Sequence, residues 1–144
     1  MKLWCRCLSR KRGDLPQRML FQEQFERIKA VYPGTSYVCL LDGTSGDMIA
    51  QSEITEIHTD EIARTIITLK NAALQFAATL NQIDPQVVHV RGSQGMFSCY
   101  GTAQMILAFY SEMPGMDLEG FDCFEADKRI ESITGELHRV LDAS

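Results

Sequence analysis

Residues 87–112 read VVHVRGSQGMFSCYGTAQMILAFYSE, and the fold class depends on how this stretch divides. Three strand-length runs stand out: QVVHVR (86–91), MFSCY (96–100) and AQMILAFY (103–110). Each is rich in β-branched or aromatic residues, which suit a pleated, buried surface. Arg91-Gly92-Ser93-Gln94-Gly95 and Gly101-Thr102 supply the corner chemistry between them. Corners this short join antiparallel neighbours, because a parallel return needs a crossover of a dozen residues or more.

Towards the N-terminus, the strongest periodic signal in the chain comes first. Ile62, Ile66, Leu69, Ala73, Phe76, Leu80 and Ile83 step by alternating fours and threes, which predicts a helix over 60–83 with these residues as its core stripe. Thr59-Asp60-Glu61 supplies its capping signal and Asp84-Pro85 its stop. Before it, SYVCLLD (36–42) and DMIAQS (47–52) read as a hairpin. An earlier helix carries Phe21, Phe25, Ile28 and Tyr32 on one face and stops at Pro33-Gly34. A longer loop (111–123) follows the third run, then a last helix with Ile130, Ile133, Leu137 and Leu141 aligned. The order α-β-β-α-β-β-β-α predicts an α/β chain of the α+β kind, a five-stranded antiparallel sheet with helices packed on it. At 144 residues it makes one domain, 19–144, behind a basic extension, 1–18.

Charge is unevenly placed. Lys2, Arg6, Arg10, Lys11, Arg12 and Arg18 against Asp14 give residues 1–18 a net +5, so the other 126 residues hold −10 of the total −5. An acidic body is a poor nucleic-acid binder, so no nucleic-acid partner is expected. No run approaches 18 consecutive apolar residues, so no membrane span is expected. The five cysteines are an odd number, and Cys39 and Cys99 lie inside apolar runs, which suits a reducing, cytoplasmic setting.

DGTSGD (42–47) is the most site-like word in the chain. It lacks the Asp-Thr-Gly order of aspartic proteases, the lysine of a phosphate loop and the alternate acids of a calcium loop. Gly43 and Gly46 permit positive φ, while Asp42, Thr44 and Ser45 can cap nearby N–H groups, so it reads as a hairpin corner. His58, His89 and His138 sit in separate elements at no metal-ligand spacing, and Cys5 with Cys7 would need two more ligands. Cys39 and Cys99 read as small core residues with inert thiols. No catalytic residue, metal or cofactor is assigned. His89 falls on the strand face opposite Val88 and Val90 and reads as a solvated or interface histidine. In WCRCLSRKR, the simplest reading is a solubilising tail; the alternative is acylation of Cys5 or Cys7 beside a basic run, the chain's only route to a peripheral membrane contact.

Two features read as interaction surface. Beside its core stripe the long helix carries a second apolar row, Ile67, Leu74 and Ala78, with Ala63 nearby, where one stripe suffices to lie on a sheet. QVVHVRG has no proline and little charge, so at a sheet edge it would be an open template for another strand.

Taken together, YVCLLDGTSGDMIAQSE, the alanine-rich helix 60–83 and VVHVRGSQGMFSCYGTAQMILAFYSE resemble the Roadblock family, the dynein light chain and GTPase-regulator domains with a longin- or profilin-like fold. The resemblance covers about Met19 to Leu141. It implies a non-enzymatic dimer, of one chain with itself or with a paralogue, that pairs edge strands and packs long helices over the seam. It implies that Val87, Val88, His89, Val90 and Arg91, with Ile67, Leu74 and Ala78, lie at that junction. It further implies a Ras-like GTPase, or motor and scaffold subunits, as partners. Three rivals remain at this stage: a motor or cargo adaptor, a PAS-like small-molecule sensor, and a thiol enzyme using Cys99 or Cys123.

Overall fold

The structure is a computed structural model of the chain, described for residues 3–5, 14–52, 58–81, 87–101, 104–112 and 122–142, with backbone alone for 3–5, 14–18 and 123. Ile83, Asp84-Pro85, Cys7 and residues 113–121 lie outside the described residues. The elements are β1 (Leu3–Cys5), α1 (Asp14–Val31), β2 (Thr35–Asp42), β3 (Met48–Ser52), α2 (Thr59–Thr79), β4 (Val87–Arg91), β5 (Gly95–Gly101), β6 (Met105–Glu112) and α3 (Cys123–Asp142). The expected order of three helices and five strands is present, and every strand pair is antiparallel. A short sixth strand, β1, is added in front.

The sheet runs β1-β3-β2-β6-β5-β4. Its middle pair, β2 and β6, is the reason SYVCLLD and MILAFY read as unbroken apolar runs: both faces are buried. Val38, Leu40, Leu107 and Phe109 face α1 and α3, where they meet Phe21, Phe25, Ile28, Tyr32, Ile130, Ile133 and Leu137. Tyr37, Cys39, Leu41, Ile106 and Ala108 point the other way, towards Ala63 and Ile66 of α2. Two helices therefore cover one face of the sheet, and a single helix covers the other.

Three expectations about local structure change. The basic segment is not wholly an extension: Leu3, Trp4 and Cys5 pair with Ser52, Gln51 and Ala50, and α1 begins at Asp14. The Thr59 hydroxyl caps no helix N–H; Gln51 Nε2 donates to it at 3.1 Å, and His58 occupies the cap position without a side-chain bond. The described part of α2 stops at Thr79 because Asn81 turns left-handed, at φ 56°, a conformation asparagine tolerates at a helix end.

The DGTSGD corner is built as a corner. Asp42 Oδ1 accepts from the N–H groups of Thr44 (2.8 Å) and Ser45 (3.1 Å), and Gly46, at φ 79°, donates its N–H to Asp42 O. The acid is occupied by its own loop, which explains an Asp-Gly word without chemistry. No helix among the described residues is long and apolar enough to cross a membrane.

Candidate functional site

The orientation of α2 decides what surface remains. Its buried residues are Ala63, Ile66, Lys70 and Ala77. Two alanines, Ile66 and the Lys70 side chain are thus turned inward. Phe76 and Leu80, expected in the core, are 68% and 52% exposed. Ile62 and Leu69, on the same flank of the helix, are half-buried. Nearly all-round apolarity had left two candidate inner faces, and the one that packs on the sheet carries Ala63 and Ile66. Of the row marked earlier, Ala63 and Ile67 pack towards the sheet, Leu74 is half-buried and Ala78 is exposed.

Beside that outward flank, α2 and the sheet diverge and leave a groove of about 660 Å³. Ile62, Ile66 and Leu69 form its helical wall; Tyr37, Val90 and Phe97 form its floor. The groove runs to the sheet edge, because among the described residues β4 is bonded on one side alone, to β5. Val88 and Val90 point to this face, and Val90 is 47% exposed opposite Phe97. An apolar groove and a strand edge that is unpaired among the described residues therefore adjoin one another, with Phe76 and Leu80 exposed further along α2. Each large apolar side chain left in water forgoes roughly 1.5–3 kcal/mol of burial.

His89 faces the opposite side of β4 and is neither free in solvent nor beside the valines. Its Nδ1 lies 2.8 Å from Ser98 Oγ and its Nε2 3.2 Å from Asp127 Oδ1 on α3. Tyr100 Oη donates to the same carboxylate oxygen at 2.6 Å and lies 3.4 Å from Tyr32 Oη. Val87 packs on this side also, and Arg91 closes the strand as its exposed charge. The Ser98–His89–Asp127 chain uses the atom types of a hydrolytic triad, but Ser98 is 0% exposed and pinned between strands. A nucleophile sealed from substrate performs no acyl transfer. The network instead clamps the edge strand to α3. Asp127→Ala is expected to lower unfolding free energy by about 1–3 kcal/mol, chiefly the cost of leaving the buried Tyr100 hydroxyl short of a partner. Urea denaturation followed by circular dichroism reads it.

The described thiols are similarly closed off. Cys39 and Cys99 are buried and free of disulfides. Burial pushes Cys39 up to about 12 and Cys99 up to about 11. Such thiols stay protonated and unreactive near neutral pH. The sign of the pH effect follows. Above pH of about 9 the unfolded chain releases these protons while the folded chain keeps them, so stability falls by up to about 1.4 kcal/mol per pH unit for each thiol. Denaturation curves at pH 8, 9 and 10 are expected to show that decline, and Cys39→Ala/Cys99→Ala to flatten it. Among the described residues no group of three or more His, Cys, Asp or Glu is arranged to hold a metal ion.

No family model matches the chain, and no curated protein matches it. Solved structures do resemble it. The MglB protein of Myxococcus xanthus superposes with a TM-score of 0.60 at 17% identity, over 84% of this chain and 92% of that one. The gliding protein MglB of Thermus thermophilus gives a TM-score of 0.64 at 16% identity, over 88% and 91%. A Roadblock/LC7 domain from Streptomyces avermitilis gives 0.59 at 15%, over 78% and 93%. The sheet order, the helix layers and these superpositions together assign the chain the Roadblock/LC7 fold.

Proposed function

We propose that this chain is a non-enzymatic regulator or scaffold that works as a dimer and acts on a small Ras-like GTPase. The observation that carries the reading is the joined apolar surface of α2 and β4. A second copy related by a two-fold axis would pair β4 with β4 antiparallel and continue the sheet. Its own α2 would then lie beside the first, so that Ile62, Leu69, Phe76 and Val90 of both copies leave water together. Val88 and Val90 thus serve self-association through the groove side of the edge. Val87, His89 and Arg91 serve it through the strand backbone, with the His89 clamp holding that strand straight. Ile67 and Leu74 hold α2 at the angle that presents its outer flank.

The GTPase follows from the resemblance to the Roadblock family. The body of the chain supports a partner that supplies its own chemistry, since the triad-like cluster among the described residues is sealed and the described thiols are inert. A PAS-like sensor would need an enclosed cavity with a few polar groups. The groove here opens to solvent at the rim where a second copy would sit.

A panel of purified Ras-like GTPases, each loaded with GDP or a non-hydrolysable GTP analogue, tests the partner. Capture that depends on the nucleotide supports regulation of a GTPase. Capture that ignores the nucleotide favours a motor or cargo adaptor, and no capture across the panel removes the GTPase from the reading.

A further inference from the structure

The sheet has two ends. One is β4; the other would be β3, were it not for Leu3–Cys5. The geometry points to the outer edge of β3 as a second strand-docking edge that the chain covers with its own β1, and whose uncovering joins two copies there, β3 to β3.

β3 reads MIAQS, with no charge and no proline, the two residue types that most often protect an edge. Met48, Ile49, Ala50 and Ser52 are all buried, so the strand is held by the layers on both faces, although its register against β2 shifts between Ala50 and Met48. Its outer backbone groups need partners. β1 supplies them through the pairs Leu3–Ser52, Trp4–Gln51 and Cys5–Ala50, and its three residues end short of Ile49 and Met48. A three-residue ladder is brief beside the usual five or six and holds correspondingly weakly. The cover comes from the basic segment of a chain whose body is acidic, which adds attraction that salt screens.

The occupant of an opened edge is a second copy, because the strand is complementary to itself. A two-fold axis through Ala50 sets Met48 opposite Ser52 and Ile49 opposite Gln51, and both apolar faces of the sheet continue across the seam. Two different self-complementary edges on one molecule carry assembly beyond a pair, to a closed tetramer or along a line. β1 therefore limits assembly to a pair, whatever edge that pair uses, and the idea stands apart from the function proposed for β4.

The test uses the full chain with Leu3, Trp4 and Cys5 all replaced by proline, which removes every N–H of β1. It is made both alone and together with Val90→Lys, which blocks the opposite edge. Masses come from sedimentation velocity. Each proline chain is expected to show at least twice the mass of its own parent, stopping at twofold in the Val90→Lys background and extending further without it. An unchanged mass with unchanged circular dichroism overturns the proposal. Should the proline chains lose their helical signal, the milder Trp4→Gly chain is read in the same way, and an unchanged mass there overturns it equally.

Discussion

Phe76→Lys/Val90→Lys is expected to weaken self-association by about 100-fold or more while leaving the fold intact. The estimate is built from the surface itself. Central aromatic contacts in an interface contribute about 2 kcal/mol or more on truncation, and a lysine placed there must also bury an ammonium without a partner. A combined loss of about 2.8 kcal/mol corresponds to 100-fold in dissociation constant. Phe76 is largely in solvent within one copy and Val90 about half so, and each lies outside the buried core clusters. Fluorescence cross-correlation of labelled chains over a dilution series reads the constant, and circular dichroism and thermal melting read the fold. A variant that associates as tightly as the unmodified chain would remove the groove from the interface.

Phe109→Ala is expected to be the most damaging single core substitution, at about 3–5 kcal/mol. Phe109 is fully buried in β6, the strand bonded to both β2 and β5. Its ring stacks on Tyr100 at 5.8 Å between centroids and tilts against Tyr32 at 5.2 Å. Truncation leaves a ring-sized void under α1 and α3 and loosens the tyrosine that donates to Asp127. For a chain of this length the loss corresponds to a melting point lower by roughly 10–20 °C. Phe76→Ala, the same truncation on the outer flank of α2, is expected to change the stability of the single copy by about 0.5 kcal/mol or less. The contrast between two phenylalanines tests the assignment of inside and outside directly, by differential scanning calorimetry in dilute solution.

Much of this arrangement was legible before any coordinates. Phe21, Phe25, Ile28 and Tyr32 announced a helix face and are all buried, as are Ile130, Ile133 and Leu137. The continuous runs of β2 and β6 announced strands covered on both sides. The rotation of α2 was not legible, because a helix with apolar residues on most of its circumference offers periodicity in two directions. The face that packs on the sheet carries Ala63 and Ile66, while Phe76, on the neighbouring flank, stays outside. The clamp at His89 was hidden for another reason. Asp127 lies 38 residues further on, and nothing local in either element signals a contact that forms when α3 lies down across β5. β1 was missed because three apolar-tending letters among arginines carry no period, and a strand of that length exists through its partner alone.

The most direct measurement is the mass of the unmodified full chain by sedimentation equilibrium, from about 1 to 100 µM. The account predicts two 16.2-kDa chains per particle across most of that range, dissociating towards the dilute end. A particle of one chain at every concentration would mean that the groove and the β4 edge stay in water, and would contradict the central claim.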